Sequence, residues 1–305
     1  MSLYLIQGAV EEGLIYAFVA LGLFVSYKVL NIADLTTDGS FVLGNVVAAV
    51  FAVSGKPYLG IGAAVMAGAL AGLVTAVLQT KLKVPSILAG IITMTGLYSI
   101  NILVQGGSPL VFFLGEKTIF TFAAGVVGKE YAKLLVLAAF GLVSAAALVL
   151  FFGTQLGLSI RATGDNRDMV SASSINPAFT TTVGLMLANA LIALGGALWA
   201  HSTTQGNINI GTGTVVIGLA ALILGGIVFR GRHVWMGVAG AIFGAIVYRL
   251  VLSAALRGTN DPTFLKLVSA VLVAVVVSYP AAKNGVVQYL HRRKEARVNA
   301  RADRD

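Results

Sequence analysis

No cysteine occurs among the 305 residues. That excludes disulfides, thiol catalysis and Cys-ligated metals, and it says nothing about compartment. The three histidines, His201, His233 and His291, are widely scattered, which argues against a His-rich metal site. Charge is scarce: 11% of residues are Asp, Glu, Lys or Arg, against roughly 25% in a soluble domain. No phosphate-binding loop of the form G-x-x-x-x-G-K-[ST] is present. The closest approach, GVVGKEY at 125–131, has Ala123 where the first glycine belongs and Glu130 where Ser or Thr belongs. HExxH and GxSxG are missing too, so the chain offers neither a nucleotide cradle nor a recognisable catalytic cluster.

What the chain has instead is oil. Hydrophobic residues make up 57% and the mean hydropathy is +0.90, the composition of a polytopic membrane protein. The 36 glycines fit helices packed closely through small residues. The net charge of +9 reads as basic cytoplasmic loops, not as a nucleic-acid surface. The N-terminus carries Glu11 and Glu12 and no Lys or Arg before Lys28, so it reads as a retained first membrane helix and not a cleaved signal.

A spanning helix needs about 20 apolar residues. That criterion predicts an all-α bundle of about 8–10 spans, with candidates at 9–30, 40–54, 58–79, 86–105, 131–153, 178–200, 213–229, 234–256 and 264–282. A short surface helix is expected at 118–127. Residues 1–285 form the membrane domain and 286–305 a basic tail. The tail, HRRKEARVNARADRD, marks the cytoplasmic side. Counting back from it puts Lys28, Lys81, Lys83, Arg161, Arg167, Arg230 and Arg232 inside. Lys56, Lys117, Lys129, Lys133 and Arg257 then fall outside, as does the N-terminus.

Segment 40–54 is too short to span: fifteen residues at 1.5 Å give roughly 22 Å against a core of about 30 Å. Before it stands NIADLTTDGS (31–40). Two readings are open. It is a broken helix beside a cavity, where irregular backbone is tolerated, or an ordinary cytoplasmic turn with Asp38 or Ser40 as N-cap. GSFVLG at 39–44 recurs loosely as GTVVIG at 213–218. On the predicted topology these run in opposite directions, a weak inverted repeat. Asn101 and Asn189 are expected to hydrogen-bond between helices, and Arg249 to snorkel to the outer interface. The spans themselves hold almost no carboxylates to act as proton relays, which argues for an external energy source.

The longest polar stretch, GLSIRATGDNRDMVSASSIN at 157–176, sits between two strongly apolar runs. Ser159 can cap a first short helix, Gly164 allows a bend, and Asp165 or Asn166 can cap a second. Met169, Val170, Ala172 and Ile175 give it an apolar face, and Asn176-Pro177 starts the next membrane helix. Such a knob suits docking into a groove on a cytoplasmic protein; the alternative is a solvated connector.

Two motifs carry a resemblance. GLSIRATGDN, Gly157 to Asn166, matches G-x-x-x-R-A-x-G-x-N, and DLTTDGS, Asp34 to Ser40, follows the first helix. With them the chain resembles the permease subunits of ATP-binding-cassette (ABC) importers, in the superfamily of branched-chain amino-acid and ribose permeases. It looks closest to a branch paired with binding proteins for aromatic amino acids of the tryptophan or tyrosine type. A Gly before Ile in the later part of the loop is replaced by Ser174, a departure from that pattern. The resemblance implies a non-catalytic membrane subunit in the bacterial inner membrane, with no cofactor of its own. Two cytoplasmic ATPase subunits would bind the ATP and Mg, an external solute-binding protein would deliver the solute, and a second permease copy would complete the pathway amid membrane lipid. It implies a coupling loop at 155–177 acting through Arg161, Ala162, Thr163, Gly164, Asp165, Asn166 and Arg167. The path would be lined around 31–45 and 207–218, with Asn31, Asp34, Thr37, Asp38, Ser40, Asn45, Asn207 and Thr214 as candidates. A secondary transporter or a channel independent of any ATPase is the alternative.

Overall fold

Small residues let one long helix stand at the centre of the bundle and touch its neighbours backbone to backbone. A computed structural model describes residues 3–128, 131–229, 231, 233–255, 267–276 and 278. Lys129, Arg230, Arg232, Arg257, His291, the tail 286–305 and the flanks of the candidate span 264–282 lie outside the described residues. The central helix, Pro177–Thr203, follows the expected Asn176-Pro177 start: the Asn176 side chain accepts from the amides of Ala178 and Phe179. Before it come α1 (Leu3–Leu23, continued by a π turn over Phe24–Val29), α2 (Thr36–Val53), α3 (Pro57–Thr80), α4 (Ser86–Val104), α5 (Ile119–Val127), α6 (Ala132–Phe152), α7 (Gln155–Asp165) and α8 (Arg167–Ala172), which makes the central helix α9. After it come α10 (Thr214–Val228) and α11 (Val234–Ala255). Residues Leu267–Val276 form a further short apolar helix, α12. Among the described residues seven helices are long and apolar enough to cross a membrane, and α10 and α12 are shorter. The chain is therefore an integral membrane helix bundle, and α5 falls where a short surface helix was expected. Two three-residue strands, β1 (Leu110–Phe112) and β2 (Gln205–Asn207), pair antiparallel with Leu110 opposite Asn207, a small departure from an all-α reading.

The glycine contacts fix each helix's direction and level. Gly22 of α1 meets Ala188 of α9, and Gly195 of α9 meets Phe18 of α1, so these two run antiparallel. Gly68 and Gly72 of α3 meet Asn189 and Leu185, again antiparallel. Ser40 of α2 bonds to Asn189, Gly44 meets Ala193 and Asn45 meets Gly196, so α2 runs parallel to α9. The first turn of α2 bonds to Asn189, near the middle of the 27-residue α9. So α2 begins halfway across the bundle. The chain reaches that point by reversing at Asn31, whose φ of 56° is left-handed, a conformation Asn tolerates better than most residues. Residues 31–34 then climb back without helix.

α10 mirrors this behaviour. Its N-terminus bonds to Asp38 in the first turn of α2, and Gly218 then packs on Val19 and Leu23 of α1. Leu222 and Ile223 share a pocket with Phe24, Tyr27 and Lys28, at the end where α1 finishes. So α2 and α10 start together inside the bundle and run to opposite ends. The broken-helix reading of 31–40 holds. The recurrence of GSFVLG in GTVVIG marks the openings of these two half-helices. The helix of the short segment opens earlier than the sequence predicted, at Thr36.

Close backbone packing of this kind leaves no room for a side chain. A Cβ on Gly44 would overlap the Ala193 carbonyl, and one on Gly196 the Phe41 carbonyl, while Gly62 has nothing within 4 Å. We expect Gly44→Val and Gly196→Val each to destabilise the protein by about 1–3 kcal/mol or more, read as a lower midpoint of thermal unfolding in detergent. Gly62→Val should leave the midpoint unchanged.

Candidate functional site

The polar segment after α6 is two ordered helices, not a loose connector. Thr154, not Ser159, caps α7: its hydroxyl accepts from the Gly157 amide at 3.2 Å. Ser159 lies a turn further on and donates to the Gln155 carbonyl. Nor is Gly164 the bend. It stays helical, and a Cβ there would overlap the Val29 carbonyl at the end of the π turn. The bend is at Asn166, whose side chain accepts from Asp168 and Met169 and opens α8. Thr163 is buried and shares a 2.8 Å hydroxyl bond with Thr180 of α9. Ile160 joins Phe24, Phe152 and Leu185 in the core. Of the proposed apolar face, Val170 is buried and Met169 stands 55% exposed, near in type to Leu158 at 51%. Asp165, Asn166 and Arg167 are exposed, Arg161, Ala162 and Gly164 half-buried. The segment thus grips α1 and α9 from beneath and presents cationic, polar and apolar groups outward.

At the other focus, mid-bundle, two carboxylates hold the half-helices. Asp34 is 2% exposed. One oxygen accepts from the Thr36 amide at 2.9 Å, satisfying the first turn of α2. The other accepts from Asn189 Nδ2 at 2.8 Å. Ser40 donates to Asn189 Oδ1 at 2.7 Å, and Thr37 donates to the Asp34 carbonyl. Asp38 serves α10: it accepts from the amides of Gly213 (3.0 Å) and Val215 (2.8 Å) and from the Thr214 hydroxyl (2.6 Å). A negative charge at a helix N-terminus is favourable both by dipole and by bonding otherwise orphan amides. These placements revise one inference from sequence. The spans are poor in carboxylates, but Asp34 lies within the bundle because residues 31–35 re-enter it.

Further out, Asn45 accepts from the Asn207 amide at 2.8 Å and donates to the Gln205 carbonyl, tying α2 to β2. Gln105 donates to the Gly206 carbonyl at 2.7 Å. The structure therefore brings Asp38 to Thr214, Asn45 to Asn207, and Asp34 to Ser40 through Asn189. Asn31 is exposed at the turn and stands apart. Asn189 and Asn101 do bond between helices, Asn101 donating to the Gly39 carbonyl. No sequence signal marked the threonine chain Thr36–Thr75–Thr93, at 2.7 and 3.0 Å, which joins α2, α3 and α4. The Arg249 guanidinium pairs with Glu12 at 2.8 Å and lies 4.0 Å over the Tyr16 ring, clamping α11 to α1.

Between α2, α4 and the stretch 208–212 lies a cavity of about 300 Å³, at the lower bound of the ~300–1,000 Å³ usual for small-molecule sites. Asp38, Val42, Met94, Tyr98, Asn101 and Thr212 are among its walls. Among the described residues no cluster of His, Asp and Glu could hold a metal.

A bundle of spanning helices, with two half-helices meeting beside an open cavity and an ordered two-helix handle at one end, has the architecture of a membrane permease. The family described as branched-chain amino acid transport system / permease component matches residues 5–277, and the chain belongs to that family of ABC transporter permeases. Its relatives include the tyrosine transport system permease protein of Clostridioides difficile (strain R20291), 32% identical over 280 residues, 92% of this chain and 91% of the relative. The ribose import permease protein RbsC of Escherichia coli (strain K12) is 25% identical over 250 residues, 80% of this chain and 75% of the relative. A solved inward-facing ABC transporter assigned to the metal-chelate type shares the fold, with a TM-score of 0.50 and 16% identity over 92% of this chain and 87% of that one.

The buried joint around Asn189 is the part of the site most sensitive to removal. Asn189→Ala leaves one Asp34 carboxylate oxygen and the Ser40 hydroxyl without their partner, and we expect a loss of about 1–3 kcal/mol, seen as a lower unfolding midpoint. Asn209→Ala, outside the joint, should have no such effect.

Proposed function

We propose that this chain is the pathway-forming, non-catalytic subunit of an ATP-driven importer in a bacterial inner membrane. On this reading two copies enclose the route, an external binding protein delivers a small solute, and two cytoplasmic ATPase subunits hold ATP and Mg and grip α7–α8. An amino acid or related compound is the solute class, supported by the relative named for tyrosine transport. Arg161, Ala162, Thr163, Gly164, Asp165, Asn166 and Arg167 form the handle. The C-terminus lies on the same cytoplasmic side.

The carrying observation is that α7 is braced, not tethered. Gly164 abuts Val29 at the end of α1, and Thr163 is bonded to Thr180 of α9. α9 in turn holds α2 through Asn189, and α2 holds α10 through Asp38. A push on α7 therefore passes through rigid elements to both half-helices that begin beside the cavity. Close-packed contacts of this kind switch between arrangements instead of deforming continuously. Solute would pass by Asp38 and Thr214; Asp34, Thr37, Ser40 and Asn45 act as the frame that holds this region, with Asn207 tied to Asn45.

One observation favours a rival: Asp34 is a carboxylate inside the bundle, the type of group a proton-driven transporter uses. The two readings separate in proteoliposomes. Uptake that requires the ATPase and survives a protonophore supports the importer; uptake driven by a proton gradient without ATPase supports the rival.

Two substitutions test the handle. Arg161→Glu reverses a half-buried cation on the outward side, and Gly164→Val displaces α7 from Val29. In the reconstituted complex we expect each to lower uptake per ATP hydrolysed by about fivefold or more. Wild-type uptake per ATP in both variants contradicts the assignment.

A further inference from the structure

The cavity between α2, α4 and residues 208–212 has an unequal supply of hydrogen-bonding groups. Resting on the pathway reading above, we infer that it is a solute subsite selective for a protonated amine carried on an apolar body, with Asp38 and Asn101 as its acceptors.

Three observations lead there. First, among the described residues that line the cavity Asp38 is charged and none is Lys, Arg or His. An ionised carboxylate offers about four acceptor positions. Three donors use them, Gly213 N, Thr214 Oγ1 and Val215 N, which leaves capacity on Oδ2. Second, Asn101 is 1% exposed, and its Oδ1 has no partner. Its Nδ2 faces the Gly39 carbonyl, so the assignment of the two amide atoms follows from chemistry: an amide oxygen there would oppose another oxygen. A buried carbonyl with nothing to accept is costly to leave unmet. One turn further along the same helix Gln105 repeats the pattern, with Nε2 on a carbonyl and Oε1 unpartnered. Third, Val42, Met94, Ile208 and the Tyr98 ring supply apolar wall.

The same inventory disfavours an anion. The amides at the N-terminus of α10, which would ordinarily attract one, are already taken by Asp38. A carboxylate placed beside Asp38 would face that aspartate and the Asn101 carbonyl, with hydroxyls such as those of Tyr98 and Thr212 to donate.

The test uses a pair of probes matched in body and opposite in head group, tyramine and 4-hydroxyphenylpropionate. Binding to the full chain in nanodiscs of zwitterionic lipid is read by saturation-transfer NMR, with empty nanodiscs subtracted. We expect saturable binding of tyramine and none of the acid. Asn101→Leu should weaken tyramine binding by about three- to tenfold, and Asn101→Asp, which places a second carboxylate at the wall, should strengthen it. Binding of the acid as tight as that of tyramine, no binding of either, or the two variants unchanged or shifted in the same direction overturns the inference. None of those results bears on whether α7–α8 couples the chain to an ATPase, which the uptake-per-ATP measurement decides separately.

Discussion

A helix that begins inside a membrane leaves its first amides with no water to bond. Among the described residues there are two such beginnings, and both are met by aspartates of one seven-residue run. Asp34 accepts from the opening turn of α2. Asp38, one turn later, accepts from the opening turn of α10. The second bond is the more consequential, because it joins half-helices that then diverge to opposite ends. Without it the opening amides of α10 lose their acceptor.

Burying carboxylates is expensive unless they are bonded. Asp34 is surrounded by neutral donors from the Thr36 backbone and Asn189, and Asp38 by a helix N-terminus. Among the described residues no cation pairs with either carboxylate, and dipoles surround both. The surrounding elements make that arrangement rigid. The Thr36–Thr75–Thr93 chain fixes α2 to α3 and α4, and glycines bring α2 and α9 into backbone contact. The importer reading proposed above uses that stiffness to pass displacement from α7 to the cavity.

Much of this was legible in the residues. Apolar runs gave the spans, Asn176-Pro177 gave the start of α9, and the shortness of 40–54 beside two aspartates gave the broken helix. The polar knob at 157–176 was recognisable from its caps, but its details were not. Thr154 caps α7 because the helix opens at Gln155, ahead of the polar stretch 157–176. Gly164 looked like a hinge because glycine permits one; the structure uses its missing side chain to admit the Val29 carbonyl. The pairing of Arg249 with Glu12 was not legible, because the two are some 240 residues apart in sequence and on different helices. The same blindness to long-range pairs hid the threonine chain. A lone threonine in a span carries no pattern, since its hydroxyl can always return to the carbonyl four residues back, as Thr75 and Thr93 also do.

The joint itself can be measured by a double-mutant cycle on Asp38→Ala and Thr214→Ala, singly and together, with unfolding followed in detergent. The 2.6 Å bond between these side chains predicts an interaction energy of about 0.5–3 kcal/mol. Additive effects, within about 0.3–0.5 kcal/mol, would mean that α2 and α10 are not held together there.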